Sequence, residues 1–254
     1  MFTPEEILQK SINAGVNKLH KTLVAKMILG FIGGAMISLG FLAYVRVTAS
    51  IPNNLASVKS IVGGAVFPIG LIVILLAGGE LATGNMMAVG TSILAKKASF
   101  VEYLKNLLVI TLFNFIGAIF VAYFFGHVVG LTHAAPYQQQ VITMAMGKTG
   151  AAFLPAFISG IGCNWLVGIA VWLSFGAKDA AGKILGIWFP IMIFVAVGFQ
   201  HSIANCFIIP AAIFEGGSTW GAFIQNFVPV YLGNIVGGLI FVAGFYYFSY
   251  TKKD

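Results

Sequence analysis

Two apolar runs, each long enough to cross a bilayer, carry a polar interruption in the middle. The first extends from about Ile61 to Leu94 and contains Gly78-Gly79-Glu80-Leu81-Ala82-Thr83-Gly84-Asn85. The second extends from about Ile184 to Phe214 and contains Gly198-Phe199-Gln200-His201-Ser202-Ile203-Ala204-Asn205. Gly78 aligns with Gly198, Glu80 with Gln200 and Asn85 with Asn205, at a separation of 120 positions. Hydrocarbon excludes such groups unless protein buries them or they line a cavity. Two interrupted spans at matching places in two halves point to a central binding or permeation site.

The rest of the chain fits that expectation. Of 254 residues, 59% are hydrophobic and 8% charged, which leaves material for an all-α polytopic membrane protein and little else. Six spans are predicted: Leu23 to Val47, the first interrupted run, Leu107 to Phe125, Thr149 to Phe175, the second interrupted run, and Phe227 to Tyr250. The start has no removable signal peptide by pattern. Thr3-Pro4-Glu5-Glu6 opens a helix, and Ile7, Leu8, Ile12, Val16 and Leu19 form one apolar stripe. An amphipathic helix on the membrane surface is expected, with a soluble partner-binding helix as the alternative. Ten lysines (Lys10, Lys18, Lys21, Lys96, Lys97, Lys105, Lys178, Lys183, Lys252 and Lys253) fall on the amino-terminal side, against Arg46, Lys59 and Lys148 on the other. The positive-inside rule then puts both termini in the cytoplasm of a cell-membrane protein. The net charge of +7 is spread over loops, with no basic stripe for nucleic acid. Cys163 and Cys206 lie in apolar segments and read as buried hydrophobes.

The 120-residue offset is expected to hold throughout: Gly30 and Gly40 with Gly150 and Gly160, Asn106 with Asn226, Asn114 with Asn234. Each half is span, interrupted span, span. Three is odd, so the halves enter the membrane from opposite sides as an inverted repeat. We expect one channel domain over 1–254, with an amino-terminal helix over 1–22, a first three-helix repeat over 23–130 and a second over 146–250.

Breaking a helix frees backbone groups, and a half-helix N-terminus carries partial positive charge. Half-helices beginning at Thr83-Gly84-Asn85 and at Ser202-Ile203-Ala204, converging from opposite leaflets, favour an anion. An apolar surrounding raises the pKa of a weak acid, so its anion can take a proton and cross neutral. His201 is the natural centre, as an anion-binding donor or proton exchanger; a histidine that only satisfies the loop backbone is the alternative. Lys148, expected to start the fourth span, is either a solvated loop charge or a cation at the outer mouth. Glu80 reads as a buried acid held by loop backbone, and Asn114 and Asn234 as partners across helices. His20, His127 and His133 show no metal-ligand spacing with a supporting Cys, Asp or Glu, so no metal site and no cofactor is expected.

On the two interruption motifs and the segment Cys163-Asn164-Trp165-Leu166-Val167, the chain resembles the formate/nitrite transporter family along nearly its whole length. The resemblance implies an aquaporin-like six-helix protomer assembled as a homopentamer, with one pore per protomer. It places Thr83, His201, Lys148 and Asn164 on the substrate pathway. It assigns Leu71 and Phe194, with Phe67 nearby, to an inner hydrophobic constriction, and Leu81, Ala82 and Val167 to an outer one. The family often has Phe at the position of Ala82 and Glu at that of Gln200. Both departures, with the look of Leu81-Ala82-Thr83-Gly84-Asn85, lean toward the hydrosulfide-channel branch. The expected substrates are small monovalent anions: hydrosulfide, formate and nitrite. A pore for water or small neutral solutes competes, although the paired Asn-Pro-Ala loops of that class are absent. An intramembrane enzyme lacks a nucleophile–base pair or a metal cluster, since Ser202 beside His201 is adjacent in sequence only.

Overall fold

The computed structural model describes residues 1–251; Lys252 and Lys253, counted above toward orientation, lie outside them. The described residues are helical throughout, joined by short loops. Six segments are long and apolar enough to cross a membrane: Leu23–Thr48, Asn53–Leu76, Phe100–Val128, Phe153–Gly176, Ala180–Val197 and Trp220–Tyr250. The protein is thus a multi-pass membrane protein. Its outer surface suits lipid or a neighbouring protomer. Leu104, Leu108, Leu112 and Ile116, one face of a helix at four-residue spacing, are all exposed.

The amino-terminal helix α1 (Pro4–Leu19) starts with a capping box in which Thr3 accepts from the Glu6 N–H and Glu6 accepts from the Thr3 N–H. Its apolar stripe does not lie against membrane. Ile7, Leu8 and Ile12 are buried with Met87, Val171 and Trp172, and Ser92 donates to the Ile12 carbonyl (3.0 Å). The expected surface helix is corrected to one docked on the bundle, because a packed protein groove accepts its stripe and its hydroxyls together.

Helix α2 (Leu23–Thr48) crosses first. The return consists of α3 (Ala56–Val66) and α4 (Ile69–Leu76), separated at Phe67-Pro68, and the short half-helix α5 (Ala82–Leu94) follows the interruption. Helix α6 (Phe100–Phe120) continues in a wider π-helical stretch to Val128. It begins seven residues before the predicted Leu107 because Ser99 and Glu102 form a second capping box. The stretch left between the predicted third and fourth spans, Gly126 to Lys148, holds most of α7 (Tyr137–Thr149). Lys148 therefore ends α7 and does not start the fourth span, α8 (Phe153–Gly176); an extended Ala152 separates the two helices. Helix α9 (Ala180–Val197) leads into the second interruption, and α10 (Ser202–Phe214) leaves it. Helix α11 (Trp220–Val236), capped by Thr219, runs through a π-helical stretch into α12 (Phe245–Tyr250). The sixth span so begins at Trp220, ahead of the predicted Phe227.

The two half-helices leave the centre toward opposite faces. Helix α5 packs on α1, at the amino-terminal face, whereas α10 packs on α7 and the end of α6, at the far face. The constant 120-residue offset needs one correction. It relates α5 to α10 and α6 to α11, but α2 and α8 begin 130 positions apart, so Gly30 corresponds to Gly160 rather than Gly150.

Candidate functional site

Each interruption opens with a glycine at positive φ, Gly78 at 108° and Gly198 at 87°. An L side chain is strained there, and glycine turns the chain out of the preceding helix. What then holds the turn is an asparagine from the next span. Asn114 accepts from the Ala82 N–H (2.9 Å) and donates to the Glu80 carbonyl (2.8 Å) and the Gly30 carbonyl (2.7 Å). Asn234 accepts from the Ser202 N–H (2.9 Å) and donates to the carbonyls of Gln200 (3.2 Å) and Gly160 (2.8 Å). One amide thus satisfies a donor and an acceptor that the break sets free, together with a carbonyl of a neighbouring span. The expected cross-helix bonds of these asparagines are present, to Gly30 and Gly160, and the same side chains also clamp the breaks.

A second pair of asparagines braces each motif. Asn85 donates to Glu80 (2.8 Å) and Asn106 (2.9 Å); Asn205 donates to Gln200 (3.0 Å) and Asn226 (2.8 Å). Glu80 is not held by loop backbone as expected. Its carboxylate takes an ion pair from Lys18 of α1 (2.9 Å) besides the Asn85 bond.

The half-helix N-termini meet at Thr83 and His201, whose Oγ1 and Nε2 are 2.9 Å apart. His201 caps α10, its Nδ1 accepting from the Ala204 N–H (3.0 Å). An accepting Nδ1 carries no proton, so a neutral ring holds its proton on Nε2 and donates to Thr83. Phe194 stacks on the ring at 5.9 Å, and Phe67 meets Phe194 edge-on at 5.7 Å. Both His201 and Thr83 are buried.

A cavity lies toward each face of this centre, and the far one touches His201. One, of about 110 Å³, is lined by Phe41, Phe67, Lys148, Phe194, His201 and Ala204 among others. The other, of about 220 Å³, is lined by Lys18, Lys21, Leu71, Glu80, Leu81 and Val171 among others. The expected constrictions are therefore redistributed. Phe67 and Phe194, expected on the inner side, belong with Lys148 at the far face, and Leu81, expected on the outer side, belongs with Lys18 at the amino-terminal face, where Leu71 also lies as expected. The fully buried Ala82 and Val167 line neither cavity. The physical reason is helix direction: α3 and α4 descend from the far face, so Phe67 comes before the break and Leu81 after it.

Lys148 lies outside the six spans. Its Nζ is 5.9 Å from the Phe41 ring and has no hydrogen-bond or ion-pair partner among the described residues. Burial lowers its ammonium from the ordinary 10.5 to about 8. The residue keeps partial access to the cavity. Asn164 lines neither of these two cavities. Its amide donates to the carbonyls of Thr83 (3.2 Å) and Asn234 (2.6 Å), tying the first break to α11.

One cluster escaped the sequence. His127, His133 and Glu215 come together at the far face, with potential ligand atoms within 4.8 Å of one another. Glu215 lies more than 80 positions from either histidine, so no local spacing announces it.

The formate/nitrite transporter profile matches residues 5–248. A formate channel of Bacillus thuringiensis is 51% identical over 251 residues, covering 99% of this chain and 96% of that one. An uncharacterized transporter of Bacillus subtilis is 54% identical over 251 residues, covering 99% and 94%. Among solved structures, an FNT family ion channel aligns with a TM-score of 0.90 at 26% identity over 96% of this chain and 98% of that one. A pentameric formate channel with formate bound aligns at 0.79 and 29% identity over 91% and 98%.

Proposed function

The chain belongs to the formate/nitrite transporter family, a family of channels and transporters rather than enzymes, and from that premise we propose that it carries small monovalent anions of weak acids. The observation that carries the proposal is the contact of His201 Nε2 with Thr83 Oγ1, made where two half-helix N-termini converge between two lysine-bearing cavities. Lysines concentrate anions in each cavity. Phe67, Phe194, Leu71 and Leu81 then strip water, with Ala82 and Val167 shaping the wall between the cavities. At the centre an anion replaces Thr83 as acceptor of the His201 Nε2–H, supported by the half-helix ends. A second ring proton, on Nδ1, would break the bond to Ala204. His201 therefore serves as a hydrogen-bond donor more readily than as a proton donor. In this apolar zone the anion's own pKa rises and it takes a proton arriving through the cavities.

Formate is the first substrate to test, because a relative at 51% identity is named for it; hydrosulfide, which the motif leaned toward, and nitrite follow. The matching asparagine clamps support an inverted repeat, and the lysine bias supports cytoplasmic termini. The pentameric neighbour supports a homopentamer. The test is anion entry into proteoliposomes, read by internal pH, for wild type, His201→Ala and His201→Asn. Asparagine keeps a cap for α10. Loss of entry in both variants, with assembly intact in His201→Asn, is expected. Unchanged entry in both would overturn the role of His201. Osmotic swelling with glycerol and no anion entry would overturn the anion channel itself.

A further inference from the structure

We propose that His127, His133 and Glu215 form a binding site for a divalent transition metal of the zinc class at the far face, separate from the pathway. The Glu215 side chain is fully buried and offers both oxygens to the cluster. His127 Nδ1 lies 3.3 Å from Oε1, and His133 Nδ1 lies 2.8 Å from Oε2. Two imidazoles and a carboxylate are a known zinc ligand set with one position left open. In tetrahedral zinc sites with bonds of about 2.0–2.2 Å, neighbouring ligand atoms are about 3.3 Å apart; the three potential ligand atoms here lie within 4.8 Å of one another, and side-chain rotation about an ion closes the difference.

The surroundings are those of a ligand set held in place. Thr132 Oγ1 donates to Glu215 Oε1 (3.0 Å), an outer bond of the sort that orients a ligating carboxylate. Tyr123 stacks on His127 at 5.8 Å and 28°, which fixes that ring. His133 is 64% exposed and gives an ion its way in. Without metal, both Nδ1 atoms donate protons to the carboxylate. Binding at Nδ1 requires each ring to carry its proton on Nε2 instead. The site also joins distant parts of the chain. His127 ends the third span, His133 is in the following turn, and Glu215 caps the C-terminus of α10, whose own partial negative charge favours a cation. A bound ion would tie the end of the first half to the half-helix that His201 begins.

The experiment uses the full chain in detergent with its affinity tag removed. Zn²⁺ binding is measured by competition with a chromophoric chelator, and melting temperature with and without Zn²⁺. His133→Ala is the first variant, since an exposed side chain can be removed without unfolding the protein, and Glu215→Gln is the second. We expect one Zn²⁺ per protomer, a rise in melting temperature on binding, and at least tenfold weaker binding in His133→Ala with an unchanged metal-free melt. Equal Zn²⁺ affinity in wild type and His133→Ala, or no Zn²⁺-dependent rise in wild type, would overturn the site.

Discussion

The first and second breaks share their scaffolding and differ in their charge. In both, a glycine at positive φ ends one helix, and asparagines from the following span clamp the freed backbone and brace the motif. The positions 120 apart then diverge. Leu81 stands where His201 caps α10, Thr83 where Ile203 stands, and Glu80 where Gln200 stands. Lys18 and Lys148, 130 apart, share the offset of α2 and α8. Lys18 pairs with Glu80. Lys148 shares a cavity wall with the neutral Gln200, whose Oε1 is already taken by Asn205 and Asn226. The amino-terminal cavity thus has Lys18 neutralised in place, with Lys21 beside it unpaired by Glu80, whereas the far cavity has a single lysine with its charge uncompensated. Backbone satisfaction is demanded equally of both halves and is conserved between them; charge is not, and there the halves have room to specialise.

The largest effect is expected where the halves agree. Asn114→Leu and Asn234→Leu each orphan three backbone groups, at about 1–3 kcal/mol apiece. Both should lower thermal stability in detergent by about 3 kcal/mol or more and abolish assembly. A tolerated Asn234→Leu beside a ruinous Asn114→Leu would break the equivalence.

Where the halves differ, the effect should be smaller and one-sided. Gln200→Glu places a carboxylate on a wall shared with Lys148 at the far face and should reduce anion entry from that face by roughly tenfold, a modest share of what steering can supply. Glu80→Gln removes the partner of Lys18 and should cost about 2 kcal/mol in the docking of α1, read as faster amide exchange in that helix. Similar flux changes from both faces in Gln200→Glu would show that the charge difference does not matter for entry.

The smallest effect concerns pH. The Lys148 cation is present below a pKa of about 8 and lost above it, so anion entry from the far face should fall by roughly two- to threefold as pH rises through that value. Lys148→Arg, which stays charged, should remove this component. Identical pH profiles in wild type and Lys148→Arg would detach Lys148 from anion attraction.

Much of the molecule was legible in the chain. Six spans, the interruptions at Gly78 and Gly198 and the meeting of two half-helices follow from hydropathy, from the intolerance of hydrocarbon for polar groups, and from the backbone freedom of glycine. Those are local properties. The capping residues Ser99 and Thr219 were also present in the sequence, but the lysines near Ser99 and the glycines around Thr219 disguised the helix starts as a charged loop and a Gly-rich turn.

The rest depended on contacts between distant residues. Whether the stripe of α1 meets lipid or protein is decided by the groove beside Met87 and Trp172. Which face Phe67 and Leu81 serve is decided by the direction in which helices approach the break. That Asn114 clamps the loop around Glu80, that Lys18 neutralises Glu80, and that Glu215 joins His127 and His133 are all matters of side chains brought together from more than 30 positions apart. Hydrophobicity and backbone preference act residue by residue and can be read in order. Hydrogen bonds and ion pairs need two partners within about 3 Å, and only the folded chain selects which two.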